Sequence, residues 1–335
     1  LEIRKKNLID SSEMPYKTAL GHIYDSGDFK RNLMQCAEKA NFFSFETRKI
    51  NSKKKGKLRG IGISTYIESC GGGGPERAIL KVGKNGNIEV KIGTQSNGQG
   101  HATSYAQIVS EILDIDIDQI EIIQGNSLEI PTGSGTAGSR STPVGGSALY
   151  KATQNLLIKS SELLASCKSI DEKLITYEKG FFKYRNDTFS LAQIAEYASE
   201  KEQNLETSDT WAPPTGSFTY PNGTHICELE VDKDTGKVEI LAYTVVDDFG
   251  KVINPLLLEG QVHGGIVQGI GQALFEETIY DDKTGQLLSG SFMDYAIPRA
   301  SDVPNFNFSY HEILCKNNLL GVKGAGEAGA IGAPP

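Results

Sequence analysis

Apolar positions recur along this chain with two periods, and the points where the period changes outline its elements. From Glu76, the stretch ERAILKVGKNGNIEVKIGT alternates apolar and polar residues around Lys-Asn-Gly-Asn, which predicts two strands joined by a tight turn. The polar loop QSNGQG follows. Over HATSYAQIVSEIL, Ala102, Tyr105, Ala106, Val109, Ile112 and Leu113 then fall at helical spacing. QIEIIQG reads as a further strand and PTGSGTAGSRSTPVGG as a long loop. SALYKATQNLLIKSSELLA has the pattern of an amphipathic helix. Residues 1–55 are polar with helical pattern near DFKRNLMQCAEKANF. Residues 170–215 are mixed and end in WAPPTGSF, a boundary loop.

The first pattern then returns. HICELEVDKDTGKVEILAYTVV predicts a second hairpin, around Asp-Thr-Gly, and DDFGKVINP leads into LLLEGQVHGGIVQGIGQALFEE. Both passages run hairpin, polar loop, Gly-Gln-x-His, helix. The signatures are Gly98-Gln99-Gly100-His101 and Gly260-Gln261-Val262-His263, each followed by another glutamine, Gln107 or Gln268. The unit is far longer than a solenoid or propeller repeat, so duplicated α+β subdomains are expected.

With 335 residues the chain has room for two domains, and 38% hydrophobic with 23% charged residues is a globular balance. The net charge of −8 argues against a nucleic-acid partner. The one basic run, Lys53 to Lys57, reads as a solvated linker. No stretch has the length and apolarity of a membrane span, and a signal peptide is not expected. The five cysteines, Cys36, Cys70, Cys167, Cys227 and Cys315, lie far apart without Cys-x-x-Cys spacing. They read as free thiols of a cytoplasmic protein, not as zinc or iron–sulfur ligands.

Near the end, GVKGAGEAGAIGAPP sets one acid, Glu327, among small residues. Gly324 to Gly329 spell GxGxxG, but a dinucleotide fold needs a helix, a strand and a later acid, for which the six residues given after Gly329 leave no room, so that reading is rejected. Glu327 reads either as a base in a dry site or as an exposed loop acid. NGQGHAT, set just before a helix, and GSGTAGSRST with Arg140 suit an anion, or else are tight turns with N-caps. Taken together with the repeat, they favour a large polar ligand. The amides of Gln99 and Gln261 suit a heterocycle edge or a metal-oxo group. His101 and His263 lack partners at metal-ligand spacing and read as packed or hydrogen-bonded. Asp247, Asp248 and Asn254 read as Asx caps or ligand contacts.

In order, SNGQGHATSYAQIVSEIL, GTAGSRSTPVGGSA, VVDDFGKVINPLLLEGQVHGGIVQGIGQAL, GSFMDYAIPRASDVP and GVKGAGEAGAIGAP resemble the molybdopterin-binding large subunit of the molybdenum hydroxylases. That family includes xanthine dehydrogenase, aldehyde oxidoreductase and aerobic carbon monoxide dehydrogenase. The resemblance runs from about Arg59 to the last residue. It implies an α+β fold of repeated mixed-sheet/helix subdomains. Residues 1–58 would be a helical or linker segment, 59–212 the first molybdopterin-binding subdomain, and 213–335 the second.

The resemblance further implies molybdopterin with molybdenum, in the cytosine dinucleotide form usual in bacterial and archaeal members. Gln99, Gly100, His101 and Thr103 would hold its phosphates. Gly138 would lie near the metal, with Ser139, Arg140, Ser141 and Thr142 on the cofactor. Asp248, Asn254 and Gln261 would contact the pterin or nucleotide part, with Lys323 close by. Glu327 would be the general base in hydroxylation of an aldehyde, N-heterocycle or similar carbon, or in CO oxidation, with water as the oxygen source. Iron–sulfur clusters and FAD would sit on partner subunits. The family's large subunit is much longer, so another chain or segment would supply the missing half, and this chain alone would not turn over substrate. A non-catalytic cofactor-binding or assembly module of the same fold is the alternative.

Overall fold

The computed structural model describes residues 1–130 and 132–335; the long Gly/Ser/Thr loop expected from Pro131 therefore starts one residue outside the described part. The chain forms two compact units that alternate in sequence. The first comprises Leu1–Cys70, Thr219–Cys315 and Lys323–Pro335, the second Gly71–Phe218 and Lys316–Val322.

The first unit opens with α1 (Glu2–Asn7) and a two-strand ladder of β1 (Tyr16–Lys17) and β2 (Ile23–Tyr24). Then come α2 (Phe29–Lys39), α3 (Phe45–Lys54) and the long strand β3 (Lys57–Ile67). Asp28 caps α2 by accepting from the Arg31 amide at 3.1 Å. The basic run ends α3 with Lys53 and Lys54, turns at Lys55 and Gly56, and enters β3 at Lys57.

The second unit follows with β4 (Glu76–Val82), β5 (Ile88–Ile92), α4 (His101–Leu113) and β6 (Ile120–Ile123). A π-helical turn, Ser141–Gly145, runs into α5 (Gly146–Lys168). A meander of β7 (Thr176–Glu178), β8 (Phe181–Tyr184) and β9 (Asp187–Ser190) precedes α6 (Leu191–Glu200) and β10 (Glu206–Trp211). The main sheet has the order β10-β4-β5-β6, with β5 and β6 parallel and the other pairs antiparallel. Ile88, Val90 and Ile92 of β5 are buried at every second position, as the alternating pattern requires. The turn between β4 and β5 closes where Asn85 accepts from the Asn87 amide at 3.1 Å and Gly86 takes φ 85°.

The chain returns to the first unit with β11 (Asn222–Asp232), β12 (Val238–Asp248), α7 (Pro255–Leu274), β13 (Phe306–His311) and α8 (Ala328–Gly332). Its sheet has the order β13-β12-β11-β3, again with one parallel pair, β12 with β13. Both faces of β12 are covered. Tyr243 and Val245 pack on Leu258, Val262 and Ile266 of α7, while Val246 packs with Cys36 and Ala37 of α2. Part of the N-terminal segment, expected as helical or linker, thus forms a helical covering layer of the first unit.

Each main sheet is built as hairpin, helix and parallel return strand, with a fourth strand antiparallel to the first hairpin strand. The repeat expected from the sequence is therefore present in the topology. Its motif is not equivalent, however. Gly98 to Gly100 precede α4, whereas Gly260 to His263 lie inside α7, because Pro255 at the first helical turn and the Asn254 cap start that helix ahead of the motif.

Candidate active site

In the first unit, Glu327 is exposed and stands as the N-cap of α8. Two anchors fix the loop that carries it. Lys323 donates its backbone N–H to the Phe249 carbonyl at 2.7 Å, and Gly324 donates to Thr219 Oγ1 at 3.3 Å. The Lys323 ammonium is fully buried, 2.5 Å from Asp248 Oδ2 and 3.4 Å from the Ser26 carbonyl. Asp248 also accepts from Asn222 Nδ2 at 3.2 Å and from the amides of Gly250 and Ile313 at 3.0 and 3.1 Å. Four donors around one buried carboxylate satisfy it. Removing Lys323 would leave a buried charge without its counter-ion.

The second anchor is the seat of α8 on α7. A Cβ on Gly265 would lie 3.0 Å from the Ala330 nitrogen and the Gly329 Cα. One on Gly332 would lie 2.5 Å from His225 Cε1, so only glycine allows these approaches.

Beneath α8, His225 Nδ1 lies 2.9 Å from the Tyr243 hydroxyl and its Nε2 lies 3.6 Å from Asp247 Oδ1. Both Asp247 oxygens are buried without a hydrogen-bond partner, and burial raises that carboxyl above its ordinary range. Of the two neighbouring acids, then, Asp248 forms an Asx turn with Gly250 and an ion pair, while Asp247 faces His225.

Glu68 and Cys70 also meet Glu327. Their chain continues past β3, held by the Glu68 amide on the Pro221 carbonyl and by two Cys70–Thr219 backbone bonds, all at 2.9 Å. One ligand atom each of Glu68, Cys70 and Glu327 lies within 4.8 Å of the others. Burial first, and the Glu327 charge after it, raise the Glu68 carboxyl to about 7, although the Cys70 thiol pulls the other way.

In the second unit the two glycine-rich loops come together. Thr136 Oγ1 accepts from the Gln95 amide at 3.0 Å, donates to the Gln95 carbonyl at 2.6 Å, and lies 3.0 Å from Ser141 Oγ. Gln99 accepts from the Asn97 amide at 2.5 Å. Gly100, at φ 76°, is the N-cap of α4, and no side chain caps that helix. Thr103 is exposed on its first turn. His101 is buried against Tyr105, its Nδ1 has no hydrogen-bond partner, and burial lowers it to about 4. Gly138 and Ser139 take φ 56° and 50°, and no atom lies within 4 Å of a Cβ built on Gly138.

Arg140 points inward. It binds Glu76 at 2.8 Å and the carbonyls of Gly135 and Gly74 at 2.9 and 2.8 Å, so it braces the loops around Gly138. Thr142 is half-buried in the π-helical turn.

Asn254 caps α7 by accepting from the Leu257 amide at 3.0 Å. Gln261 is half-buried on α7, and His263 packs on the Phe306 ring at 5.1 Å between centroids. Glu68, Cys70, Glu76 and His225 were not anticipated from the sequence. Each meets its partner only through contacts between residues far apart in the sequence, and no local spacing marks it. Gly324 to Gly329 form a loop and the start of α8, without the strand and long helix of a dinucleotide site.

The model of the molybdopterin cofactor-binding domain matches residues 35–304. The carbon monoxide dehydrogenase large chain of Hydrogenophaga pseudoflava is 32% identical over 100% of this chain and 44% of its own length. The nicotine 6-hydroxylase large subunit of Paenarthrobacter nicotinovorans is 33% identical over 99% of this chain and 43% of its own. Among solved structures, quinoline 2-oxidoreductase of Pseudomonas putida superposes with a TM-score of 0.90 at 28% identity, over 99% of this chain and 45% of the other. This chain thus spans less than half the length of these relatives. With the match covering most of its residues, the chain belongs to the molybdopterin cofactor-binding domain family.

Proposed function

We propose that this chain is part of the catalytic subunit of a cytoplasmic molybdenum hydroxylase. The reaction would hydroxylate an aldehyde, an N-heterocycle or a similar carbon centre, or oxidise CO, with water as the oxygen source. The observation that carries this reading is Glu327, an exposed acid on a doubly anchored turn in a family that binds molybdopterin. When bound, molybdopterin with molybdenum supplies the two-electron oxidation of the substrate.

The residues of this chain fit such a group. In the second unit, the uncapped start of α4, the positive-φ glycines Gly98 and Gly100, and the unpartnered Nδ1 of His101 suit phosphate oxygens. There Gln99, Gly100, His101 and Thr103 would bind the phosphates. Gly138, Ser139, Ser141 and Thr142 would line the cofactor, on loops that Arg140 braces. In the first unit, Asn254 and Gln261 would contact the pterin or nucleotide part. Asp248 and Lys323 would act by holding the loop of Glu327, which would take up the proton released as water is activated. We further infer the cytosine dinucleotide form of the cofactor. The remaining half of the molybdenum subunit and partner subunits carrying iron–sulfur clusters and FAD would complete the enzyme.

The test is Glu327→Gln in the natively purified complex. Molybdenum content should stay at the wild-type level while kcat falls by about 10²–10⁴-fold, the range for a general base. Turnover at the wild-type rate would overturn the assignment.

A further inference from the structure

Among the described residues, Glu68 is the acid that meets Glu327, and the proposed function leaves it without a role. Its place is set by the backbone. Pairing with Pro221 and Thr219 fixes the segment from Glu68 to Cys70, and the same Thr219 accepts from Gly324, three residues before Glu327 in the chain. The two carboxyl groups are thus carried by segments tied to a common residue. Their environments differ: Glu327 is exposed, whereas Glu68 is half-buried and its Oε2 is sealed from solvent with no hydrogen-bond partner. A negative charge on that oxygen would have no water to stabilise it, and the neighbouring Cys70 thiol is only a weak donor to the group. A proton on Glu68 removes the charge and provides an O–H that can donate to the neighbouring acid.

We propose that Glu68 and Glu327 work as one proton-sharing pair, in which Glu68 keeps the proton and donates a hydrogen bond to the Glu327 carboxylate. This deepens, and rests on, the reading of Glu327 as the base. Glu68 is then a positioning residue. It orients the acceptor oxygen of Glu327 and keeps a second anion from forming beside it. The titratable groups that face Glu68 are Tyr66 and Cys70 on its own strand segment and Glu327 on the opposite loop. Tyr66 is itself held protonated by burial, so within this set the near-neutral proton belongs to the carboxyl pair. Burial and the Glu327 charge both act in the direction the pair requires.

The pair can be read without turnover. Infrared difference spectra of the full chain across pH 5–9 should show a protonated-carboxyl band that disappears with a midpoint of about 7. Glu68→Gln, which is nearly isosteric and keeps a donor, should abolish that band. Glu327→Gln should retain the band and move its midpoint to lower pH, because it removes a neighbouring charge. A band that persists in Glu68→Gln, or a midpoint that does not move in Glu327→Gln, would overturn the proposal. Should Glu68→Gln fail to fold, as judged by circular dichroism, the Glu327→Gln midpoint decides alone. If both spectra behave as expected and the Glu327→Gln complex still turns over, the pair stands and the catalytic reading falls.

Discussion

The two sheet-and-helix repeats share a topology and differ at the start of their helices. In the second unit, α4 begins at Gly100, whose left-handed backbone and missing side chain leave the first amides uncapped. In the first unit, α7 begins at Asn254, whose side chain accepts from Leu257, with proline in the first turn. One helix end is open to an anion and the other is closed on itself. The helix bodies differ in the opposite sense. α4 has no internal glycine, whereas α7 is notched by glycines that seat α8. A single architecture can thus leave the helix start uncapped in one copy and hold an acid on a doubly anchored turn in the other.

The seat offers the largest lever on this comparison. Gly265→Ala should cost about 1–3 kcal/mol in chemical denaturation through overpacking against Gly329 and Ala330. It should also speed hydrogen exchange at the Ile331 amide, which bonds to the Glu327 carbonyl at 3.0 Å. Gly264→Ala, one position along with nothing within 4 Å of the new Cβ, should stabilise by roughly 0.5–1 kcal/mol. Equal effects at the two positions would dissolve the idea of a seat.

The helix ends come next. Asn254→Ala should lower stability by about 1 kcal/mol, because it takes from α7 the cap that α4 never had. An unchanged denaturation midpoint would show that the capping contrast carries no energy.

The subtlest test is pH. His101, lowered from 6.5 to about 4, binds fewer protons folded than unfolded between those values. Its contribution is therefore full above about 6.5 and is lost as pH falls through about 4. Glu68, raised from 4.5 to about 7, behaves in the opposite way: its contribution is full below 4.5 and is lost as pH rises through about 7. Between pH 5 and 7, Glu68→Gln should make stability rise more steeply with pH, and His101→Gln should flatten the rise. Denaturation midpoints across that window check both signs.

The elements of the repeats were legible because turn chemistry and period agree locally. The helical spacing over HATSYAQIVSEIL corresponds to α4, and Lys-Asn-Gly-Asn and Asp-Thr-Gly mark the two hairpin turns. The region 170–215 resisted reading because its strands β7 to β9 are only three or four residues long, too short for a period to show. Glu327 stood out for its small neighbours. Glu68 and His225 did not, since Glu68 is placed only where the chain leaves the β3–β11 pairing and His225 meets Tyr243 and Asp247 only once β11 pairs with β12. Arg140 was visible as a cation in a loop, but its inward turn toward Glu76 depends on burial that no local pattern announces.

The Lys323–Asp248 pair has a consequence for the order of events during synthesis. It joins an early carbonyl, Ser26, to a middle carboxylate and a late ammonium, across the inserted second unit. As the chain leaves the ribosome, every other buried contact of Asp248 can form before residue 323 appears. The first unit can close only when that ammonium arrives, four residues ahead of Glu327. Of the two anchors of the Glu327 loop, the ion pair can thus form before the acid emerges, and the seat of α8 on α7 only after it.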